Sequence, residues 1–184
     1  MSVTNSNAAQ SLDEVKRSQR RSAVAYGYQK ASPHLILWGF IWVVGYSTTY
    51  FRPQANAAVW LLLVLLGITA GFWIGRRTAA EGSRTHDWRL AASILATFLF
   101  FVALFTIMPP RSGLQVGAII PIFFSLCYAI GGIWKGGARF VLLGLAVGAL
   151  TVAGYFWVTP YFLLWMAAIG GGALITGGLW LRRV

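Results

Sequence analysis

Acidic residues are scarce: four Asp and Glu stand against fifteen Lys and Arg in 184 residues, and only 10% of the chain is charged. A water-soluble domain carries about a quarter of its residues charged, so this composition excludes one. The four acids are Asp13, Glu14, Glu81 and Asp87, and none lies inside an apolar run. A carboxylate relay for proton or sodium coupling is therefore excluded, as is a charged ring for an ion pathway. Cysteine occurs once, as Cys127, which rules out an internal disulfide and leaves redox compartment unspecified. The chain lacks a Walker motif, a zinc-protease motif and a nucleophile elbow. No enzymatic activity, resident metal or cofactor is expected. The first thirty residues are polar and show no cleavable signal or lipidation signature, so the first spanning helix is expected to act as its own insertion signal.

What is present is apolar. Hydrophobic residues make up 58% of the chain and aromatics 15%, with a mean hydropathy of +0.67. Apolar runs fall near 33–51, 57–75, 88–108, 114–134, 138–158 and 161–181. Each is roughly 20 residues long, the length an α-helix needs to cross a hydrocarbon core about 30 Å thick. The predicted fold class is an all-α integral membrane protein of six transmembrane helices. A basic tail, 1–32, precedes the membrane domain, 33–184.

Orientation follows from the cations. Thirteen of the fifteen Lys and Arg lie in the tail, in the 76–87 loop and its exit, in the fourth-to-fifth turn or at the C-terminus; Arg52 and Arg111 alone lie on the other side. The positive-inside bias puts both termini in the cytoplasm. Trp73, Trp88, Trp134 and Trp180 then form a cytoplasmic interfacial belt, and Trp60, Trp157 and Trp165 an outer one. The anionic cytoplasmic leaflet is the expected partner of this charge, and nucleic acid is not.

Three apolar stretches close on glycine, an apolar residue and tryptophan: Gly71-Phe72-Trp73, Gly132-Ile133-Trp134 and Gly178-Leu179-Trp180. Prolines mark the outer turns at Pro53, Pro109-Pro110 and Pro160. Two readings stay open: three parallel repeats of one helical hairpin, 33–75, 88–134 and 138–181, or belts and turns that arose independently.

Small residues at four-residue spacing mark helix-packing faces: Gly67, Gly71 and Gly75 in span two, Gly144 and Gly148 in span five, and Gly172 in span six. Such a stripe also suits contact between copies, a homo-oligomer. Pro121 and Gly171 mark hinges or ordinary membrane-helix residues, with Ser125 placed to satisfy the carbonyl that proline frees.

In the tail, Ser11-Leu12-Asp13-Glu14 reads as a capping box opening an interfacial helix. Ser32 reads as the N-cap of span one, with Pro33 in its first turn. Residues 11–30 suit anionic lipid or a cytoplasmic protein partner. Span one then sets His34, Trp38, Trp42, Tyr46 and Tyr50 four residues apart along one face. The stripe suits either a flat apolar or cationic ligand or a core packed against neighbouring glycines; His34 is expected as a wet interfacial anchor. Glu81, His86 and Asp87 in the longest loop match no metal-ligand spacing and read as solvated.

The run Lys16-Arg17-Ser18-Gln19-Arg20-Arg21 followed by Pro33 to Tyr46, PHLILWGFIWVVGY, resembles a group of small bacterial six-span membrane proteins. In that group a short helical tail feeds a tryptophan-rich first span, and its members are often encoded beside a winged-helix regulator. The resemblance implies a bacterial inner-membrane location and a regulatory role, and it carries over no residue roles. The expected function is a non-enzymatic sensor or scaffold acting through the cytoplasmic face. The alternatives are a permease or exporter for small aromatic or cationic solutes and, third, a lipid-active enzyme using Glu81 and His86.

Overall fold

A computed structural model describes residues 5–78 and 88–183, and all regular structure among them is helical. The helices are α1 (Asn5–Phe51), α2 (Asn56–Thr78), α3 (Trp88–Ile107), α4 (Gly113–Lys135) and α5 (Ala138–Trp157). A sixth helical stretch, Thr159–Leu181, is built from α6 (Phe162–Trp165), a π-helical turn (Met166–Gly171) and α7 (Gly172–Leu181). Among the described residues, four segments are long and apolar enough to cross a membrane: Pro53–Arg77, Gly113–Lys135, Ala138–Trp157 and Thr159–Leu181, with a shorter apolar helix at Ala91–Ile107. The apolar half of α1 is diluted by its Trp, Tyr, Ser and Thr residues.

The tail and span one form a single helix of 47 residues. At 1.5 Å per residue it is about 70 Å long, more than twice the ~30 Å hydrocarbon core. Ser32 and Ser11 therefore lie inside the helix, which corrects the expectation that they cap two separate ones. The reason at Ser32 is tertiary. Its fully buried hydroxyl donates to the Gly178 carbonyl at 2.6 Å and accepts from Arg182 Nε at 3.1 Å, so it is not free to cap its own helix.

The interior is organised around α1 and the sixth stretch, which pack antiparallel. A methyl group on Gly39 would stand 2.9 Å from the Gly171 carbonyl oxygen, and one on Gly178 3.0 Å from that of Ser32. Ser32 and Gly39, like Gly171 and Gly178, are seven residues apart, two helical turns. The backbones meet where side chains are smallest, as expected where lipid supplies no hydrophobic drive between helices.

A second close pair is α4 and α5. Gly136, in the left-handed region at φ 69°, ends α4, and the Gly137 N–H donates to the Gly132 carbonyl at 2.8 Å, a glycine-closed helix end that reverses the chain at once. Beyond the turn, methyl groups on Gly144 and Gly148 would come 2.5 Å from the Ser125 carbonyl oxygen and 2.8 Å from Ser125 Oγ. At the other end of α4, Ser112 accepts from the Gln115 N–H, and Gln115 Oε1 accepts from the Arg111 N–H at 2.6 Å.

Two of the expected hairpins pack as such, α1 on α2 where Gly67 meets Trp38 and Ile41, and α5 on the sixth stretch where Trp165 meets Leu150. The tightest pairings run between hairpins: α4 packs on α5 across the Gly136-Gly137 turn, and the sixth stretch packs on α1. Meanwhile α3 stands apart, meeting α4 through Phe100 and Phe101 against Phe123, with ring centroids 5.1 and 5.0 Å away. The tryptophans of the expected belts differ in packing. Trp73, Trp134, Trp157 and Trp180 are exposed, whereas Trp60 and Trp165 turn inward to donate to Thr49 Oγ1 and the Leu150 carbonyl.

Candidate functional site

The ring stripe of α1 faces the bundle. Trp38 lies over Gly67 of α2, where a Cβ would sit 3.1 Å from its ring. Trp42 is buried beside Gly170 of the π turn and meets Tyr46 edge-on, centroids 5.9 Å apart. Tyr46, 4% exposed, also packs edge-on to Trp60 at 5.2 Å. Tyr50 is half-buried near the C-terminal end of α1, against the neighbouring Phe51 ring.

The hydroxyl of Tyr46 donates to the Gly117 carbonyl of α4 at 2.7 Å. That oxygen belongs to the residue four before Pro121, which has no N–H to offer it. Pro121 is itself fully buried. The carbonyl it frees is thus satisfied from another helix, not by Ser125, whose hydroxyl donates to the Ile122 carbonyl at 2.8 Å. Pro121 is held from outside its own helix, and Gly171 is held against Gly39 and Val43.

The glycines expected to pack divide in two. Gly67, Gly144 and Gly148 lie in tight contacts; Gly71 has only the His34 ring at 4.0 Å. A methyl on Gly75 or Gly172 would meet nothing within 4 Å. At the π turn the close contacts pass to Gly170 and Gly171, because the wider turn rotates Gly172 away from α1. His34 is half-buried, and its Nδ1 is buried without a hydrogen-bond partner among the described residues.

Two clefts are outlined, and neither is lined by the stripe. One, of about 760 Å³, runs along the outer face of α5 from Gly148 to Trp157. The other, of about 680 Å³, lies between the N-terminal part of α1 and the α4–α5 turn and is lined by Arg17, Arg20, Arg21, Tyr28, Gly136 and Arg139, among others. Arg139 braces this end. Its backbone N–H donates to the Tyr28 hydroxyl at 3.2 Å, its Nη1 donates to the Trp180 carbonyl at 2.8 Å, and its guanidinium stacks 4.8 Å from the Trp180 ring. Sequence reasoning missed this brace and the Ser32 clamp, since nothing in the local pattern links residues more than a hundred positions apart.

Opposite the arginines, the same stretch of α1 exposes Leu12, Val15 and Tyr26, each more than half accessible. At about 100° per residue, these three cluster on one side and Arg17, Arg20, Arg21 and Tyr28 roughly half a turn away. The helix end thus has an apolar outer face and a basic inner one.

Glu81, Arg84, His86 and Asp87 lie outside the described residues. Among the described residues no group of three or more His, Cys, Asp or Glu could hold a metal ion. No protein-family model matches the chain, and neither a curated protein nor a solved structure does.

Proposed function

We propose that the chain is a six-span protein of the bacterial inner membrane, both termini cytoplasmic, acting as a non-enzymatic sensor or scaffold that presents the N-terminal part of α1 to a cytoplasmic protein. The observation that carries this reading is the continuity of α1. Leu12 lies twenty residues before Ser32, about 30 Å along a straight helix. Lipid headgroups do not reach that far, so an apolar face there suits a protein surface. Leu12, Val15 and Tyr26 fall on one side of the helix, where a partner helix could dock, and Lys16 beside them favours an acidic partner.

The permease reading ranks second. The irregular turn beside Trp42 favours it, since π-helical turns often mark functional sites. The rings of the stripe, however, are spent on one another and on glycine backbones.

The test is proximity crosslinking of the full chain in its native membrane, with a photoreactive residue at position 26, which every variant below retains. A cytoplasmic protein captured by the wild-type chain, then lost in both Leu12→Asp/Val15→Asp and a chain lacking residues 1–22, is expected. Unchanged interactions and phenotypes on that truncation would rule the reading out. The cut stops at 22 because Tyr28 belongs to the brace.

A further inference from the structure

We propose that the cleft between α1 and the α4–α5 turn is a binding site for a group carrying two or more phosphates. Arg17, Arg20 and Arg21 project from one helix at three- and four-residue spacing, and Arg139 faces them from the start of α5. The Arg139 guanidinium is already oriented by the Trp180 carbonyl and the Tyr28 ring, so its ordering cost is met before any ligand arrives. The floor is bare backbone: Arg20 Nη2 stands 3.6 Å from where a Cβ on Gly136 would be, and the positive φ there disfavours any side chain.

Guanidinium is the cation whose planar fork matches phosphate oxygens two at a time. Four of them around one cleft exceed what a single carboxylate neutralises. From Arg17 to Tyr28 the helix rises about 16 Å, a length that suits more than one phosphate.

Two sources share this chemistry. One is the headgroup of a diphosphate-bearing phospholipid such as cardiolipin, since Arg139 and Trp180 stand at the interfacial end of the bundle. The other is a soluble organic or inorganic polyphosphate. Neither depends on a protein docking on the opposite face of α1, so failure here leaves the docking reading intact.

The experiment uses the full chain in nanodiscs. In the first arm, discs contain phosphatidylcholine with or without cardiolipin, and native mass spectrometry counts retained lipid. In the second, pyrophosphate is titrated into phosphatidylcholine-only discs and binding is read by calorimetry. Retention of cardiolipin supports the lipid source; saturable pyrophosphate binding supports the soluble one. In either case Arg20→Gln is expected to weaken binding about tenfold, and Arg17→Gln/Arg20→Gln/Arg21→Gln to abolish it. These three side chains are exposed, so the variants keep the fold, which circular dichroism checks. The triple Lys variant, which keeps charge but loses the fork, is expected to fall between.

Equal binding by wild type and triple Gln variant would overturn the proposal, as would binding of neither probe. Citrate or a poly-glutamate peptide binding as tightly as pyrophosphate would also overturn it, by showing general attraction of anions.

Discussion

Replacing Tyr46 with Phe isolates one interaction, because the ring contacts with Trp42 and Trp60 survive and only the hydroxyl is lost. In the wild type that hydroxyl satisfies the Gly117 carbonyl at 2.7 Å. Stranding a buried carbonyl costs about 1–3 kcal/mol in soluble proteins. Interhelical hydrogen bonds in membranes average about 0.6 kcal/mol with a maximum near 1.7, since the competing state also finds partners. Here the Gly117 oxygen lacks its ordinary helical partner, because Pro121 has no N–H. The upper half of the membrane range therefore applies, about 1–1.5 kcal/mol, or roughly tenfold in the unfolding equilibrium. The decisive step is to repeat the substitution in a Pro121→Ala background, where residue 121 offers Gly117 an ordinary helical N–H. Pro121→Ala alone has an effect of either sign, since lost ring burial opposes gained helix propensity. The coupling does not depend on that sign: Tyr46→Phe should cost about 1 kcal/mol less in the Pro121→Ala background than in the wild type. Unfolding in mixed micelles, followed by far-ultraviolet circular dichroism, measures all four corners. An equal cost in both backgrounds would refute the idea that α1 satisfies the bond proline removes.

Two further outcomes follow from the packing and the charge distribution. Gly39→Ala sets a methyl 2.6 Å from Ile175 Cγ1 and 2.9 Å from the Gly171 carbonyl oxygen, so it should cost about 1–3 kcal/mol by overpacking. Gly172→Ala meets nothing within 4 Å and should be neutral or gain up to about 1 kcal/mol of helix propensity; the same micelle titration compares them, and equal effects would count against the α1–α7 contact. For orientation, a membrane-impermeant maleimide on intact spheroplasts should label Gln54→Cys but not Ser18→Cys, both in a Cys127→Ala background. The reverse pattern would invert the proposed topology.

The helices were readable because run length and turn residues set them locally. The runs at 57–75, 114–134 and 138–158 sit inside or nearly match Asn56–Thr78, Gly113–Lys135 and Ala138–Trp157. Their pairing was readable only in part, for α1 with α2 and α5 with the sixth stretch. In a bilayer, lipid-facing and helix-facing positions use the same residues, so hydropathy does not show that α3 stands apart or that α4 turns onto α5. A four-residue glycine search finds Gly144 and Gly148 but passes over Gly39, whose matching small residue, Ser32, is seven positions back. The Ser32-Pro33 pair carries a sound local start signal, overridden by a carbonyl 146 residues away. The ring stripe was legible as a face; its link to Gly117 was not, since no local rule joins a tyrosine in one span to a proline's missing donor in another.

The continuity of α1 makes its two ends one mechanical object. Its inner half is fixed at three levels, by Gly178 on Ser32, by Gly171 on Gly39 and by Gly117 on Tyr46. Its outer half is touched near its base, where Tyr28 meets Arg139. A helix held along one half and free along the other acts as a lever. A tilt of about 10° at Ser32 displaces Leu12 by roughly 5 Å, given about 30 Å of helix between them. Small repacking at the glycine contacts is thereby enlarged where a partner would read it. The arginine cleft lies between that lever and the bundle, where a bound anion would resist closure or opening. For a scaffold, the Arg139 brace need only hold α1 upright. For a sensor, the brace and the glycine contacts must have a second arrangement of comparable energy, and the π turn, where Gly171 touches Gly39 and Val43, is where a one-residue change of register would most directly shift the helix.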